Sequence, residues 1–207
     1  KENRSVESIL TELKEAGLDT MPGGGAEILV PEIRTQICGE KETGEEWLFV
    51  HKTAHKLGIP TNATMLFGHI ESVENRIEHL LKIRELQSET RGFLAFLPLV
   101  FLPQNNALGR KVKTRTSEED ILKTIAISRL ILDNIPHIKA YWVQLGVETA
   151  LKALHCGASD FDGTVMEERI SRAAGANSPN QITAHHLQEL IKKEGLVPVE
   201  RDAYYAF

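Results

Sequence analysis

With 207 residues, 42% of them hydrophobic and 26% charged, the chain has enough apolar material for one sizeable core and reads as a single domain over 1–207. Its formal net charge of −5 excludes the basic footprint of a nucleic-acid binder, and no apolar run reaches the roughly 18 residues of a membrane helix, so neither nucleic acid nor membrane is expected as a partner. The two cysteines, Cys38 and Cys156, fit a reducing cytoplasm better than a disulfide framework, and neither has metal-ligand spacing.

From Lys1 the chain enters helical pattern almost at once, with Ser5 as N-cap before Val6, Ile9, Leu10 and Leu13, so it reads as the interior of a longer protein. A short strand over 18–21 then feeds the glycine-rich turn Met21-Pro22-Gly23-Gly24-Gly25-Ala26-Glu27. Pro31 opens a short helix to Cys38, and Thr43 with Glu46 forms a capping box for a helix through Trp47, Val50 and Leu57. A second strand over 62–67 ends at Gly68-His69-Ile70-Glu71, after which Ser72 caps a long helix with Ile77, Leu80 and Leu81. The apolar run 93–102 suits a strand buried on both faces, and the polar stretch 103–115 suits a functional loop. Thr116 with Glu119 caps the next helix, through Ile121, Ile125 and Leu132. Residues 137–142 make a fourth strand, followed by a helix to His155, and 159–162 make a fifth. Thr164 with Glu167 gives a further capping box, and a last helix over 184–194 leads into the tail 197–207.

Five strand–helix units in a row argue for a parallel sheet with helices outside it. Two architectures fit: a doubly wound five-stranded sheet, or about five C-terminal βα units of a (β/α)8 TIM-type barrel. The polar residues follow the carboxyl ends of every strand rather than one switch point, which favours the partial barrel.

The candidate chemistry follows from residue types and spacing. The three glycines uncover backbone N–H groups for an anionic or zwitterionic ligand, and Glu27 is placed to read an amine or a ribose hydroxyl. The turn matches neither the dinucleotide nor the P-loop spacing. His51 and His55 stand at i, i+4, but Lys52 replaces the glutamate of H-E-x-x-H, so no metal site is expected there. Period-2 alternation sends His137, Lys139 and Tyr141 to one face of a strand and Ile138, Ala140 and Trp142 to the other. Lys139 would then meet a carboxylate ligand, or pair with Glu27, Asp160 or Asp162. Asp160 and Asp162 share one strand face, as sugar- or amine-binding groups or as a helix cap more than as an acid/base pair.

The runs PGGGAEIL (22–29), TMLFGHIE (64–71), LDNIPHIKAYWVQLG (132–146), GASDFDGTVMEERISRAAGA (157–176) and VPVERD (197–202) carry a specific resemblance over essentially the whole chain. They resemble the aminofutalosine synthase family of radical S-adenosylmethionine enzymes in futalosine-dependent menaquinone biosynthesis. Dehypoxanthine futalosine cyclase and F0 synthase are its near relatives. The resemblance implies radical transfer of the adenosyl group of S-adenosylmethionine to 3-[(1-carboxyvinyl)oxy]benzoate, an aromatic dicarboxylate, with a [4Fe-4S] cluster as the second cofactor.

It also implies that Gly23, Gly24, Gly25 and Glu27, with Thr64, Gly68, His69 and Glu71, line the S-adenosylmethionine pocket. His137, Lys139, Tyr141, Asp160 and Asp162 would face the other substrate, and no residue is assigned as acid or base. The family binds its cluster through Cys-x3-Cys-x2-Cys, which is absent here, so the chain reads as a C-terminal fragment without the cluster and inactive alone. Its open barrel edge would seek a second copy. A small-anion binding module and a metal-dependent lyase using Glu27, Asp160 and Asp162 are the other function classes.

Overall fold

The computed structural model describes residues 4–112, 115–164, 169–179 and 181–206. The capping box read at Thr164 and Glu167 falls partly outside them.

Two strands are long, the first on an apolar alternation and the second on a continuous apolar run whose register against the first shifts once, between Thr61 and Asn62. Strand β1 (Thr61–Phe67) buries Ala63, Met65 and Phe67, and β2 (Phe93–Val100) buries Phe93, Phe96 and Val100. They pair in parallel, Ala63 beside Phe96 and Phe67 beside Val100, and β3 (His137–Ile138) joins the far edge of β2. The sheet order is β1-β2-β3, the order of the chain. Single parallel bridges extend it at both edges, Met21 to Thr61 and Lys139 to Asp160. The first and fifth expected strands are therefore bridges, and the fourth is two residues long because Trp142 opens a helix instead of continuing it.

Helices fill the connections. Helix α1 (Val6–Glu15) starts at Ser5, whose side chain accepts from Ser8 N, and α2 (Pro31–Cys38) opens on its proline. The box of Thr43 and Glu46 caps α3 (Gly44–Lys56), and Ser72 with Asn75 forms a second box before α4 (Val73–Thr90). A 3-10 turn at Leu108–Arg110 interrupts the polar loop. The cap of α5 (Glu118–Ile131) is Ser117 rather than Thr116, because the Thr116 hydroxyl is buried under Gly68. Gly146, at φ +80°, breaks the next helix into α6 (Trp142–Leu145) and α7 (Val147–Leu154). A single turn, α8 (Ile170–Ala173), and α9 (Ala184–Lys193) complete the described helices.

One face of the sheet takes the helices. Thr61 and Phe93 meet α3, Phe96 meets His79 of α4, and Ile121 and Ile125 of α5 enter the same core as Ile138. Right-handed crossovers between strands in chain order put successive helices on the same side. Alternation then turns Asn62, Thr64 and Leu66 of β1, Leu97 and Leu99 of β2, and His137 and Lys139 to the opposite face. The molecule is thus α/β with a parallel sheet, and among the described residues no helix is long and apolar enough to cross a membrane.

Candidate functional site at the strand ends

The glycine turn runs alongside β1 so tightly that a Cβ on Gly23 would lie 2.5 Å from the Asn62 carbonyl oxygen. All five carbonyls from Gly23 to Glu27 are held by the protein. Thr64 Oγ1 donates to Gly23 O (2.6 Å), Trp47 Nε1 to Gly24 O (3.1 Å) and Leu66 N to Glu27 O (2.7 Å). Arg34, buried at 4% exposure, supplies the other two, from Nη2 to Gly25 O (3.0 Å) and from Nη1 to Ala26 O (2.6 Å). Its Nε donates to Glu42 O at 2.8 Å. Among the described residues, no protein acceptor takes the N–H groups of Gly23 through Ile28. Leu29 N returns to the scaffold by donating to His79 Nδ1 (3.1 Å), while His79 Nε2 donates to Thr64 O (3.0 Å).

Such a turn has its oxygens tied back and its N–H groups left over, the polarity that receives a carboxylate or phosphate. Gly24 is exposed, and a Cβ there would meet nothing within 4 Å, so the backbone faces open space. Glu27, in the left-handed region at φ 45°, bonds Lys41 Nζ at 2.8 Å. That hydrogen bond raises the Lys41 ammonium above its ordinary value. A resident ammonium thus sits where an amine was expected to be read.

The Gly68 to Glu71 segment is spent internally. Glu71 accepts from Gly68 N and His69 N at 2.5 and 2.8 Å and from Arg76 Nε at 2.7 Å. Burial would raise its carboxyl, but the hydrogen bonds from His69 and Gly68 outweigh burial and hold it at about 2. His69 donates from Nε2 to Leu66 O (3.0 Å), and its side chain and that of Glu71 are fully buried. The ring braces the start of α4 and presents no surface to a ligand.

At the far edge, His137, Lys139 and Tyr141 are half-buried while Ile138, Ala140 and Trp142 are fully buried, which is the expected alternation. Lys139 Nζ lies 3.2 Å from Asp162 Oδ1 and 3.9 Å from Asp160 Oδ2, so the internal pairing is the one adopted. Asp160 is 8% exposed and accepts Asp162 N on Oδ1 (2.7 Å) and both Arg201 Nη2 and Tyr205 Oη on Oδ2 (2.5 Å each). Burial pulls its carboxyl up, yet the Tyr205 hydrogen bond and the cations of Lys139 and Arg201 hold it below the ordinary aspartate value. Beside it opens a cavity of about 560 Å³ lined by Phe161, Leu187, Ile191 and Val197 with His137, Asp162 and Tyr205.

The fifth-strand carboxylates and Lys139 are therefore one cluster, while the glycine turn lies at the other edge of the sheet. Sequence reasoning missed Arg34, His79, Arg201 and Tyr205. An arginine in a Pro-started helix carries no mark of burial, and the tail offered only its run of residues.

His51 and His55 point at one hydroxyl, not at a common outer point. His51 Nδ1 lies 2.8 Å and His55 Nε2 2.9 Å from Thr61 Oγ1. Burial lowers them to about 3 and about 4, and among the described residues no group of three His, Cys, Asp or Glu could hold a metal ion. The cysteines do not fit an iron–sulfur cluster either. There are only two, both free, and burial pushes the Cys38 thiol up and away from the thiolate that iron requires.

Residues 90–207 match the family model described as CofH/MqnC C-terminal region. Over 199 residues the chain is 51% identical to an aminodeoxyfutalosine synthase of Thermus thermophilus, a match covering 95% of this chain and 54% of that protein. It is 47% identical over 206 residues to a 5-amino-6-(D-ribitylamino)uracil–L-tyrosine 4-hydroxyphenyl transferase of Methanococcoides burtonii, covering 97% of this chain and 58% of that protein. A transferase of the same name from Archaeoglobus fulgidus is 48% identical over 202 residues, covering 97% and 59%. The chain spans between half and three-fifths of the length of these curated relatives.

Proposed function

The chain belongs to the CofH/MqnC family, and on that premise we propose that it forms the C-terminal part of a radical S-adenosylmethionine transferase of the aminodeoxyfutalosine synthase type. In this reading the sheet is about five units of a (β/α)8 barrel, and the face opposite the helices is its lumen. S-adenosylmethionine supplies an adenosyl radical precursor when bound, and the residues here bind, orient and shield. The [4Fe-4S] cluster has no ligand set among these residues, so no step is assigned to it in this chain.

The polarised glycine turn carries the reading. With the carbonyls of Gly23 to Glu27 tied back, the remaining N–H groups receive the carboxylate of a zwitterion, and Glu27 receives its ammonium in exchange for Lys41. Thr64 and the rigid Gly68 to Glu71 segment wall the same end of β1. At the other edge, His137, Lys139, Tyr141, Asp160 and Asp162 would receive the second substrate. Because Lys139 is already paired, that site offers hydrogen-bonding groups held in a neutral cluster rather than a free cation for a dicarboxylate.

Gly24→Val in the full-length enzyme tests the turn. The added side chain enters open space, so the fold should stand, but it covers the N–H groups. Equilibrium dialysis should show S-adenosylmethionine affinity down at least tenfold with an unchanged melting temperature. Unchanged affinity would remove the turn from the site.

The relatives that transfer a 4-hydroxyphenyl group sustain a second reading, in which the acceptor is a ribityl-uracil and tyrosine the donor. The higher identity to the aminodeoxyfutalosine synthase favours the first. Product analysis with 3-[(1-carboxyvinyl)oxy]benzoate against tyrosine decides between them.

A further inference from the structure

The C-terminal tail has no task in the reading above, yet it is built with unusual economy. Asp202 closes a tight turn: Tyr204 N and Ala206 N donate to its Oδ1 at 2.8 and 2.9 Å, and its own N–H donates to Ala206 O at 3.1 Å. The turn holds Tyr205 at φ 64°, a left-handed conformation that bulky side chains adopt only when their surroundings enforce it.

That conformation aims the phenol at one carboxylate. Tyr205 Oη donates to Asp160 Oδ2 at 2.5 Å, and its ring lies flat on His137, centroids 4.0 Å apart and planes 6° from parallel. The Arg201 guanidinium sits over the Tyr205 ring, 4.3 Å from its centroid, and donates to the same oxygen at 2.5 Å. The other oxygen of Asp160 takes Asp162 N at 2.7 Å. Asp160 therefore stands at the centre, with His137 and Lys139 from the sheet, Asp162 beside it, and Arg201 and Tyr205 from the tail. Two cations meet two carboxylates, so the cluster balances only with the tail in place.

We infer that Tyr205 and Arg201 are positioning residues for the second-substrate site, acting through Asp160 to fix Lys139, Asp162 and the His137 ring. The inference rests on the proposed placing of that substrate on the sheet face opposite the helices. Without the tail, Oδ2 of Asp160 keeps only the longer contact to Lys139, which then swings to claim it and leaves Asp162. With the tail, Lys139 stays on Asp162, 3.2 Å away, and both keep their place beside the cavity.

The test uses the full-length, cluster-loaded enzyme with Tyr205→Phe, Arg201→Gln, Arg201→Lys and Asp160→Asn. Tyr205→Phe keeps the ring on His137 and removes one hydrogen bond, so the fold should stand. The expected result is a KM for 3-[(1-carboxyvinyl)oxy]benzoate raised about tenfold, the scale of one charge-assisted hydrogen bond. The Kd for S-adenosylmethionine and the melting temperature should stay at the parent values. Arg201→Gln should raise the same KM and Arg201→Lys should restore most of the loss. A Tyr205→Phe enzyme with the parent KM overturns the inference, and so does a KM rise that appears only with a fall in melting temperature. Asp160→Asn separates the two levels: if it weakens acceptor binding while the tail variants do not, only this inference fails. If Asp160→Asn is also silent, the site itself has been misplaced.

Discussion

Arg34 shows how much a single side chain can decide. Its guanidinium is almost wholly buried and spreads over the carbonyls of Gly25, Ala26 and Glu42, so replacing it leaves several buried acceptors without a donor. Arg34→Met should cost about 3 kcal/mol in urea unfolding. In the full-length enzyme it should also weaken S-adenosylmethionine by more than the remote Arg84→Met does, since the Arg84 side chain serves the distant Ile131 and Asp133. Equal effects would reduce Arg34 to a packing residue. Buried histidines make the second residue-scale prediction. His79 accepts from Leu29 N and donates to Thr64 O, which needs the neutral ring, and burial lowers it and His51 to about 3. The unfolded chain takes up these protons near pH 6.5 and the folded chain refuses them until about 3. Stability is therefore full above pH 6.5 and falls as pH drops through that window, by about 2 kcal/mol per ring at pH 5. His79→Gln keeps an acceptor and a donor without titrating, and should flatten the pH 7 to 5 decline in urea midpoint by one ring's share. An unchanged slope would mean His79 is not one of the titrating groups. Sequence pattern could mark the glycines and Glu27, because their rarity is local. It could not mark Arg34 or His79, whose partners lie across the fold.

Elements are legible to the extent that their signals are local. Ser5, Thr43 with Glu46, and Ser72 cap their helices as side chain–backbone chemistry dictates, β1 follows its apolar alternation and β2 its continuous apolar run. Misreadings fall where tertiary contacts compete. The edge strands shrink to bridges because the backbone around them bonds elsewhere: Leu18 N turns back to Leu13 O, the glycine-turn carbonyls beyond Met21 go to Arg34 and Trp47, and Asp162 N goes to the Asp160 side chain. Thr116 loses the cap of α5 to Ser117 because it is pinned beneath Gly68. A Cβ on Gly68, at φ +85°, would sit 1.9 Å from Thr116 Oγ1. Gly68→Ala should therefore cost about 3 kcal/mol, from overpacking and left-handed strain together. Thr116→Ala alone should be close to neutral, since it removes a buried hydroxyl that has no hydrogen-bond partner among the described residues. The double variant should recover about half of the Gly68→Ala loss, leaving the backbone strain. Additive costs in chemical denaturation would show that the two residues do not meet.

At the scale of the whole molecule, strand order gathers scattered polar residues at the two edges of one sheet. Strands running β1-β2-β3 in chain order, with α3, α4 and α5 against one face, leave the opposite face to the glycine turn at one edge and the Asp160 cluster at the other. The sequential order, with helices against one face, fits the partial barrel proposed above and is equally the order within one half of a doubly wound sheet, so what it establishes is a parallel α/β sheet. Function divides accordingly. In the proposed reading these residues supply two binding regions, but a three-thiolate iron site needs cysteines that two well-separated positions cannot provide. We therefore expect the 207-residue chain, reconstituted anaerobically with iron and sulfide, to hold far less than one [4Fe-4S] cluster per chain. Its absorbance in the 400 nm region should stay flat, and the little iron bound should be unchanged by Cys38→Ala. S-adenosylmethionine should still bind, weakly, and Gly24→Val should abolish that binding. Stoichiometric cluster lost on changing Cys38 or Cys156 would show that these two thiols assemble iron after all. Absence of any Gly24-dependent ligand binding would instead show that the turn is not competent in this chain alone.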